Sequence, residues 1–163
     1  IEPGMQVADV GAGTGFFTLM LAKAVGADGL VYAVDISPEF LTTIQQRAQE
    51  RGLSNVVTVL GHQKNANLPK GQLDRIYIGD TYHHFEYPIT YNKTLANALR
   101  PDGQVIVVDF KRIPGFSSPW VLRHVRAGKE VFISEMQQAG LVLLQELDFM
   151  QTQYFLRLGL NPG

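Results

Sequence analysis

The run Val7-Ala8-Asp9-Val10-Gly11-Ala12-Gly13-Thr14-Gly15-Phe16-Phe17 constrains this chain more than any other feature. A short apolar stretch reads as a strand, ends in three glycines at alternate positions, and passes directly into a segment with helical spacing. Glycine permits the sharp turn this demands and lets a ligand come close to the backbone. The helix start then offers free N–H groups and the positive end of a dipole to an anionic group. In open α/β sheets such a loop lies at the carboxyl edge, where ligands bind. The spacing is G-x-G-x-G, not the G-x-G-x-x-G of dinucleotide binding. The third position of that pattern falls on Phe16 counted from Gly11, and on Thr18 counted from Gly13.

The rest of the chain alternates in the same way. Helices are expected over Phe16–Ala24, with apolar residues Phe16, Leu19 and Met20 at helical spacing, from Ser37–Pro38 to about Arg51, over Pro88–Leu99, and over Lys129–Ala139. Ser37 can cap, Pro38 suits the first helical position, and Gly52 is a stop. Strands are expected at Gln6–Val10, Leu30–Val34, Val56–Leu60, Arg75–Ile78 and Gln104–Phe110, with Leu141–Leu147 and Tyr154–Leu158 as a late hairpin. Pro101-Asp102-Gly103 reads as a turn. Val131, Ile133, Met136, Leu141 and Leu143 read as core, with Phe132 and Phe149 packed beside them, and Asn161–Gly163 should fray. Strands alternating with helices predict a mostly parallel sheet covered on both faces, and the hairpin adds one antiparallel strand. The 163 residues suit a single domain, 1–163.

Composition narrows the chemistry. With Cys 0 there is no disulfide, thiolate metal site or cysteine nucleophile. No apolar run is long enough to span a membrane. A formal charge of -1 disfavours a dedicated nucleic-acid binder. That near-zero value is a cancellation. Residues 111–129 contain Lys111, Arg112, Arg123, Arg126 and Lys129 with no acid, while the flanking segments are acidic. A helix around Val121–Arg126 would set Arg123 and Arg126 on one face. With Trp120 and Phe116 this segment reads either as a wall for an anionic or aromatic acceptor, or as a solvated basic helix.

Two clusters carry candidate chemistry. Asp35 ends the second strand about 20 residues beyond the glycines, where an acid binds ribose hydroxyls. Asp80-Thr81-Tyr82-His83-His84-Phe85-Glu86-Tyr87-Pro88 follows the fourth strand. There Asp80, Tyr82 and His83 are candidates for the catalytic centre, His being suited to proton transfer near neutral pH. Tyr82, His84, Trp120 and Arg123 are candidates to meet the acceptor. No metal is expected: His83 and His84 are adjacent, their side chains need not converge, and neither has an i, i+4 histidine partner.

Taken together, Val7–Phe17, Val31–Asp35, Leu73–Asp80 and Leu99–Asp109 (LRPDGQVIVVD) resemble the class I S-adenosylmethionine-dependent methyltransferases. The likeness runs along essentially the whole chain. It is nearest to the small-molecule branch that includes ubiquinone/menaquinone C-methyltransferases, and DTYHHFEYP resembles a bacterial group within it. The resemblance implies a Rossmann-like, doubly wound α/β sheet of order 3-2-1-4-5-7-6, strand 7 antiparallel, with helices on both faces. It implies S-adenosylmethionine as cofactor. Gly11, Gly13 and Gly15 would line its methionyl part, Asp9 would order the loop or bind the cofactor by meeting its amino group through water, Asp35 would hold the ribose, and Ile36 would lie against the adenine. Gln63 would replace the acid that many relatives carry after the third strand, and Asp80 would hold the amino group. In such relatives the His-His pair is often structural. The implied reaction is in-line methyl transfer to a small molecule.

Rival readings are a nicotinamide-dependent oxidoreductase and a non-catalytic cofactor-binding module. The first is opposed by the glycine spacing and by the lack of Tyr-x-x-x-Lys, since Tyr82, Tyr87 and Tyr91 are followed at that distance by Glu86, Tyr91 and Leu95. The second is prompted by the absence, ahead of the first strand, of the helices that lid the cofactor in relatives. A cytoplasmic location is expected; because the chain begins at Ile1, an exported form is the alternative.

Overall fold

The computed structural model describes residues 1–161. Residues 162 and 163 of the stretch expected to fray lie outside the described residues, whereas Asn161 N–H donates to the Gly140 carbonyl at 3.0 Å. Seven strands form one sheet: β1 (Gln6–Val10), β2 (Leu30–Asp35), β3 (Val56–Leu60), β4 (Leu73–Gly79), β5 (Leu99–Phe110), β6 (Leu141–Leu147) and β7 (Gln153–Leu160). Their order is β3-β2-β1-β4-β5-β7-β6. β7 runs antiparallel to both β5 and β6, and the other neighbouring pairs are parallel. Five helices accompany them: α1 (Phe16–Val25), α2 (Pro38–Glu50), α3 (Pro88–Ala98), α4 (Pro119–His124) and α5 (Lys129–Gln138).

Strand periodicity assigns the faces. Odd residues of β1 and β2, such as Val7, Val31 and Ala33, meet Ala22 and Val25 of α1 and Leu41 and Ile44 of α2. On the opposite face Ile76, Ile78, Val105, Val107 and Leu156 meet Leu95 of α3 and Phe132 and Met136 of α5. This second face holds the larger core. On the first face α1 and α2 cover only the β1–β3 half. Beyond them Tyr77, Ile106 and Phe155 line an open groove with Phe17 and Leu21.

Local chemistry explains most element ends. Ser37 Oγ accepts from Phe40 N–H at 3.3 Å and Pro38 opens α2. Ser118 Oγ accepts from Val121 N–H at 3.3 Å and Pro119 opens α4. Four expectations need correction. Phe16 and Met20 do not face the core, being 63% and 54% exposed; the stripe of α1 is Thr18, Leu19, Ala22 and Val25. Pro101-Asp102-Gly103 lies within the span of β5 as an irregularity, with Leu73 opposite Leu99 but Arg75 opposite Gln104. Val131, Leu143 and Phe149 are exposed, unlike Met136, Leu141 and Phe132. Finally, α4 ends at His124, and Val125 is extended. Arg126 is therefore not a helical neighbour of Arg123.

Among the described residues no helix is long and apolar enough to cross a membrane. Replacing Phe132, fully buried between Tyr82 and the α5–sheet core, by Ala should cost about 3–5 kcal/mol. Val131→Ala, one residue away and exposed, should cost less than about 0.5 kcal/mol. Urea denaturation of the two variants reads the contrast directly.

Candidate functional site

A cleft of about 390 Å³ opens at the carboxyl ends of β1, β2 and β4. Its walls include Gly11 and Gly13 of the glycine loop, Asp35 and Ile36 after β2, His62 and Gln63 after β3, and Asp80, Thr81 and His84 after β4. The parallel register places Val10 opposite Val34 on one side and Ile78 on the other, so three strand ends lie level around one crevice.

The three glycines do different work. Gly13 has φ +54, and the space where a side chain would start holds no atom within 4 Å. It is the bare stretch of backbone that a ligand can approach. A methyl on Gly11 would collide with the Thr81 side chain, and one on Gly15 would sit 2.8 Å from Ile44 Cγ1. Gly15 is buried just before α1, and its lack of a side chain makes room for Ile44 of α2.

Asp35 sits where the sequence places it and has a second task. Its Oδ2 accepts from Gly13 N–H at 2.9 Å and its Oδ1 from Ser37 N–H at 2.9 Å. The carboxylate is half-buried and borders the cleft. Each oxygen keeps a lone pair for a ligand hydroxyl. Asp9 faces the other way. It is buried under α1 and accepts from Thr18 Oγ1 at 2.6 Å, so it orders the loop from behind. Burial, with a smaller push from Asp35, raises its pKa to about 6 against the pull of the Thr18 hydrogen bonds.

The segment after β4 splits in two. Asp80, in the left-handed region at φ +51, is exposed toward the cleft and accepts from Gln153. Partial burial holds its carboxyl above the usual range, partly offset by the Gln153 hydrogen bond. His84 also borders the cleft, and desolvation together with His83 and His124 holds its pKa down. Tyr82 and His83 turn inward on a short 3-10 turn, Tyr82–His84. Tyr82 is fully buried; its hydroxyl donates to Glu135 at 3.1 Å and accepts from Asn92 at 2.7 Å. Burial raises that phenol far above its ordinary value. A role as base or acceptor contact at the cleft is thus not supported by its position. His83 is 4% exposed, and its Nδ1 is 2.8 Å from the buried Asp109 carboxylate.

The basic segment does not form a wall of free cations. Lys111 pairs with Asp148, Arg126 is bidentate to Glu135, and Lys129 pairs with Glu146. Arg112 donates to the Val125 and Leu122 carbonyls. Arg123 stays exposed on α4. Trp120 stacks on His124 with centroids 4.5 Å apart, outside the cleft wall. Cleft residues that sequence reasoning missed are Phe40, Thr81, Phe85, Glu86 and Tyr91. Phe40 and Tyr91 each sit one turn inside a Pro-started helix, a placement that gives no local signal of a ligand.

A family model described as a methyltransferase domain matches residues 7–103. Among curated proteins, the demethylmenaquinone methyltransferase of Geobacillus sp. (strain WCH70) is 31% identical over 109 residues, covering 67% of this chain and 47% of the relative. The demethylmenaquinone methyltransferase of Bacillus mycoides (strain KBAB4) is 28% identical over 124 residues, covering 75% and 52%. The chain thus spans about half the length of these curated relatives. A solved structure of a SAM-dependent methyltransferase from Aquifex aeolicus superposes with TM-score 0.88 at 23% identity, covering 98% of this chain and 84% of that one. That likeness concerns the fold.

The Asp9 shift makes a pH prediction. Its folded pKa of about 6 lies above the unfolded value near 3.8, so between those values the folded state binds the extra proton. Stability contributed by this group is full below pH 4 and is lost as pH rises through 6, by about 3 kcal/mol. Asp9→Asn should remove that decline. Urea midpoints of both proteins at pH 4.5 and pH 7 test it: parallel pH dependences would rule it out.

Proposed function

This chain belongs to the class I S-adenosylmethionine-dependent methyltransferase family, and we propose that it transfers the methyl group of that cofactor to a small aromatic acceptor. The observation that carries the reading is the pairing of the bare Gly13 backbone with the Asp35 carboxylate across one crevice. The residues suit the cofactor. Open space at Gly13 admits the chain of an amino acid. Asp35 can accept from ribose hydroxyls. Ile36 and Phe40 offer apolar surface to a planar base, with Gln63 beside them to meet its polar edge.

When bound, S-adenosylmethionine supplies a methyl group on a positively charged sulfur, already activated for displacement. The chain's work is then to hold the acceptor in line and keep water out. Asp80, His84 and Glu86 are the titratable groups at the acceptor end of the cleft. A base is needed only where the acceptor must lose a proton; His84 is the imidazole at this end, its pKa held down by desolvation and by the neighbouring histidines. Phe85 and Tyr91 give this end an aromatic lining. An aromatic acceptor of quinone type is supported by that lining and by the names of the demethylmenaquinone methyltransferases. An anionic acceptor draws little support, because four of the five cations of residues 111–129 are already engaged.

Calorimetry with S-adenosylhomocysteine should show one site per chain, and NADH should show none. Asp35→Ala removes hydrogen bonds made by a charged group, each worth about 1.5–3 kcal/mol, and should weaken that affinity ten- to a hundredfold. Unchanged affinity would place the cofactor elsewhere. Methyl transfer from S-adenosylmethionine to a short-chain demethylmenaquinone, followed by mass spectrometry, tests the acceptor. Binding without any transfer across a panel of quinols and phenols would favour the non-catalytic module.

A further inference from the structure

Three of the four histidines of the chain converge on one point. His83 and His84 come from the 3-10 turn after β4, and His124 comes from the end of α4 some forty residues later. Ring centroids are 4.1 Å apart for His83–His84, 5.0 Å for His83–His124 and 4.9 Å for His84–His124. One ring nitrogen from each lies within 4.8 Å of the others. Spacing along the sequence shows only the adjacent pair; the third imidazole arrives from a different element.

The cluster has the supporting features of a ligand set. The Asp109 carboxylate, fully buried, accepts from His83 Nδ1 at 2.8 Å and from His83 N–H at 3.1 Å. This fixes the ring and turns Nε2 away from the carboxylate. That Nε2 is buried and has no hydrogen-bond partner among the described residues. Leaving such a buried polar atom unsatisfied is costly, so a partner is expected for it. Neither the His84 ring nor the His124 ring makes a hydrogen bond to a described residue, and Trp120 lies flat against His124 with an interplanar angle of 21°. A carboxylate that accepts from one ring nitrogen and directs the other outward is how metal-bound imidazole is commonly held.

We propose that His83 Nε2, His84 and His124 form a three-histidine site for a divalent first-row transition-metal ion such as Zn2+, oriented through Asp109. Imidazole ligands suit this class of ion. Metal–nitrogen bonds of about 2.0–2.1 Å need the three nitrogens somewhat closer together than they now stand. His84 and His124 are exposed, while His83 is buried and held by Asp109. Three protein ligands leave a fourth position for water or for an oxygen of a bound molecule. Because His84 also lines the cleft, the ion would border its acceptor end.

The test uses the full chain without a polyhistidine tag, stripped with chelator and titrated with Co2+ and then Zn2+. One equivalent of Co2+ should bind, give visible d–d absorption, and be displaced by one equivalent of Zn2+. His124→Ala and His84→Ala, both at exposed positions, should each weaken the affinity at least about tenfold. His62→Ala removes the remaining histidine and should leave metal affinity unchanged. Absence of stoichiometric binding, or affinity that survives both His124→Ala and His84→Ala, overturns the proposal. Circular dichroism of each variant confirms that it is folded. No step measures methyl transfer, so the metal site and the methyltransferase reading can fail independently.

Discussion

The hydrogen bond from Gly13 N–H to the Asp35 carboxylate ties together the parts that make the cleft. It closes a circuit of contacts. Asp35 also accepts from Ser37 N–H, which leads into α2. Ile44 of α2 packs where a side chain on Gly15 would stand, and Gly15 starts α1. The Val34 carbonyl accepts from both Gly11 and Ala12 N–H, so the loop is pinned to β2 at three successive points. All of this requires the β1–β2 register that sets Val10 beside Val34. A slip of one residue would turn Asp35 to the opposite face of the sheet and open the loop.

Features set by local chemistry were legible from the sequence. Strand β3 and the starts of α3 and α5 lie where hydrophobic pattern and Pro88 put them, and α2 starts at its Ser37 cap. Asp35 was legible because an acid at a strand end, a fixed distance past a glycine loop, has few other tasks. What stayed hidden depends on which way neighbouring residues face after folding. Asp80 reaches the cleft while Tyr82, two residues on, is buried against Glu135 and Asn92. A 3-10 turn of three residues decides this, and it leaves almost no mark in composition. Gly15 and Gly13 look alike in the motif, yet one is filled by Ile44 and the other is open. The convergence of His124 on His83 needs the whole β4–β5–α4 path, so no spacing rule could have shown it.

The charge pattern teaches a related lesson. The five cations of residues 111–129 suggest a basic face only while the acids of the last thirty residues are ignored. In the fold Glu135, Glu146 and Asp148 return to the same place, and the segregated charges pair off. Most of these pairs are partly exposed and add little stability individually. Their effect is on direction. The bidentate contact with Glu135 holds the Arg126 guanidinium over the Phe132 ring at 4.6 Å, so it is part of the α5 packing. Among the described residues, Arg123 is the one of the five with no hydrogen-bond or ion-pair partner.

Two strand-end carboxylates frame the site, and the contrast between them explains why its two halves behave differently. Asp35 at the end of β2 is half-buried; it satisfies two backbone N–H groups and still has capacity facing the cleft. It can therefore meet a ligand directly. Asp109 near the end of β5 is fully buried, and its oxygens accept from His83 N–H, His83 Nδ1 and Phe110 N–H. No ligand can reach it, so any influence it has on bound molecules passes through the orientation of His83. A buried charge of this kind costs several kcal/mol of desolvation that only its hydrogen bonds offset. A strand end seeking stability alone would be served as well by an apolar residue there. The carboxylate makes physical sense as the fixed support of an imidazole whose outer nitrogen has work to do.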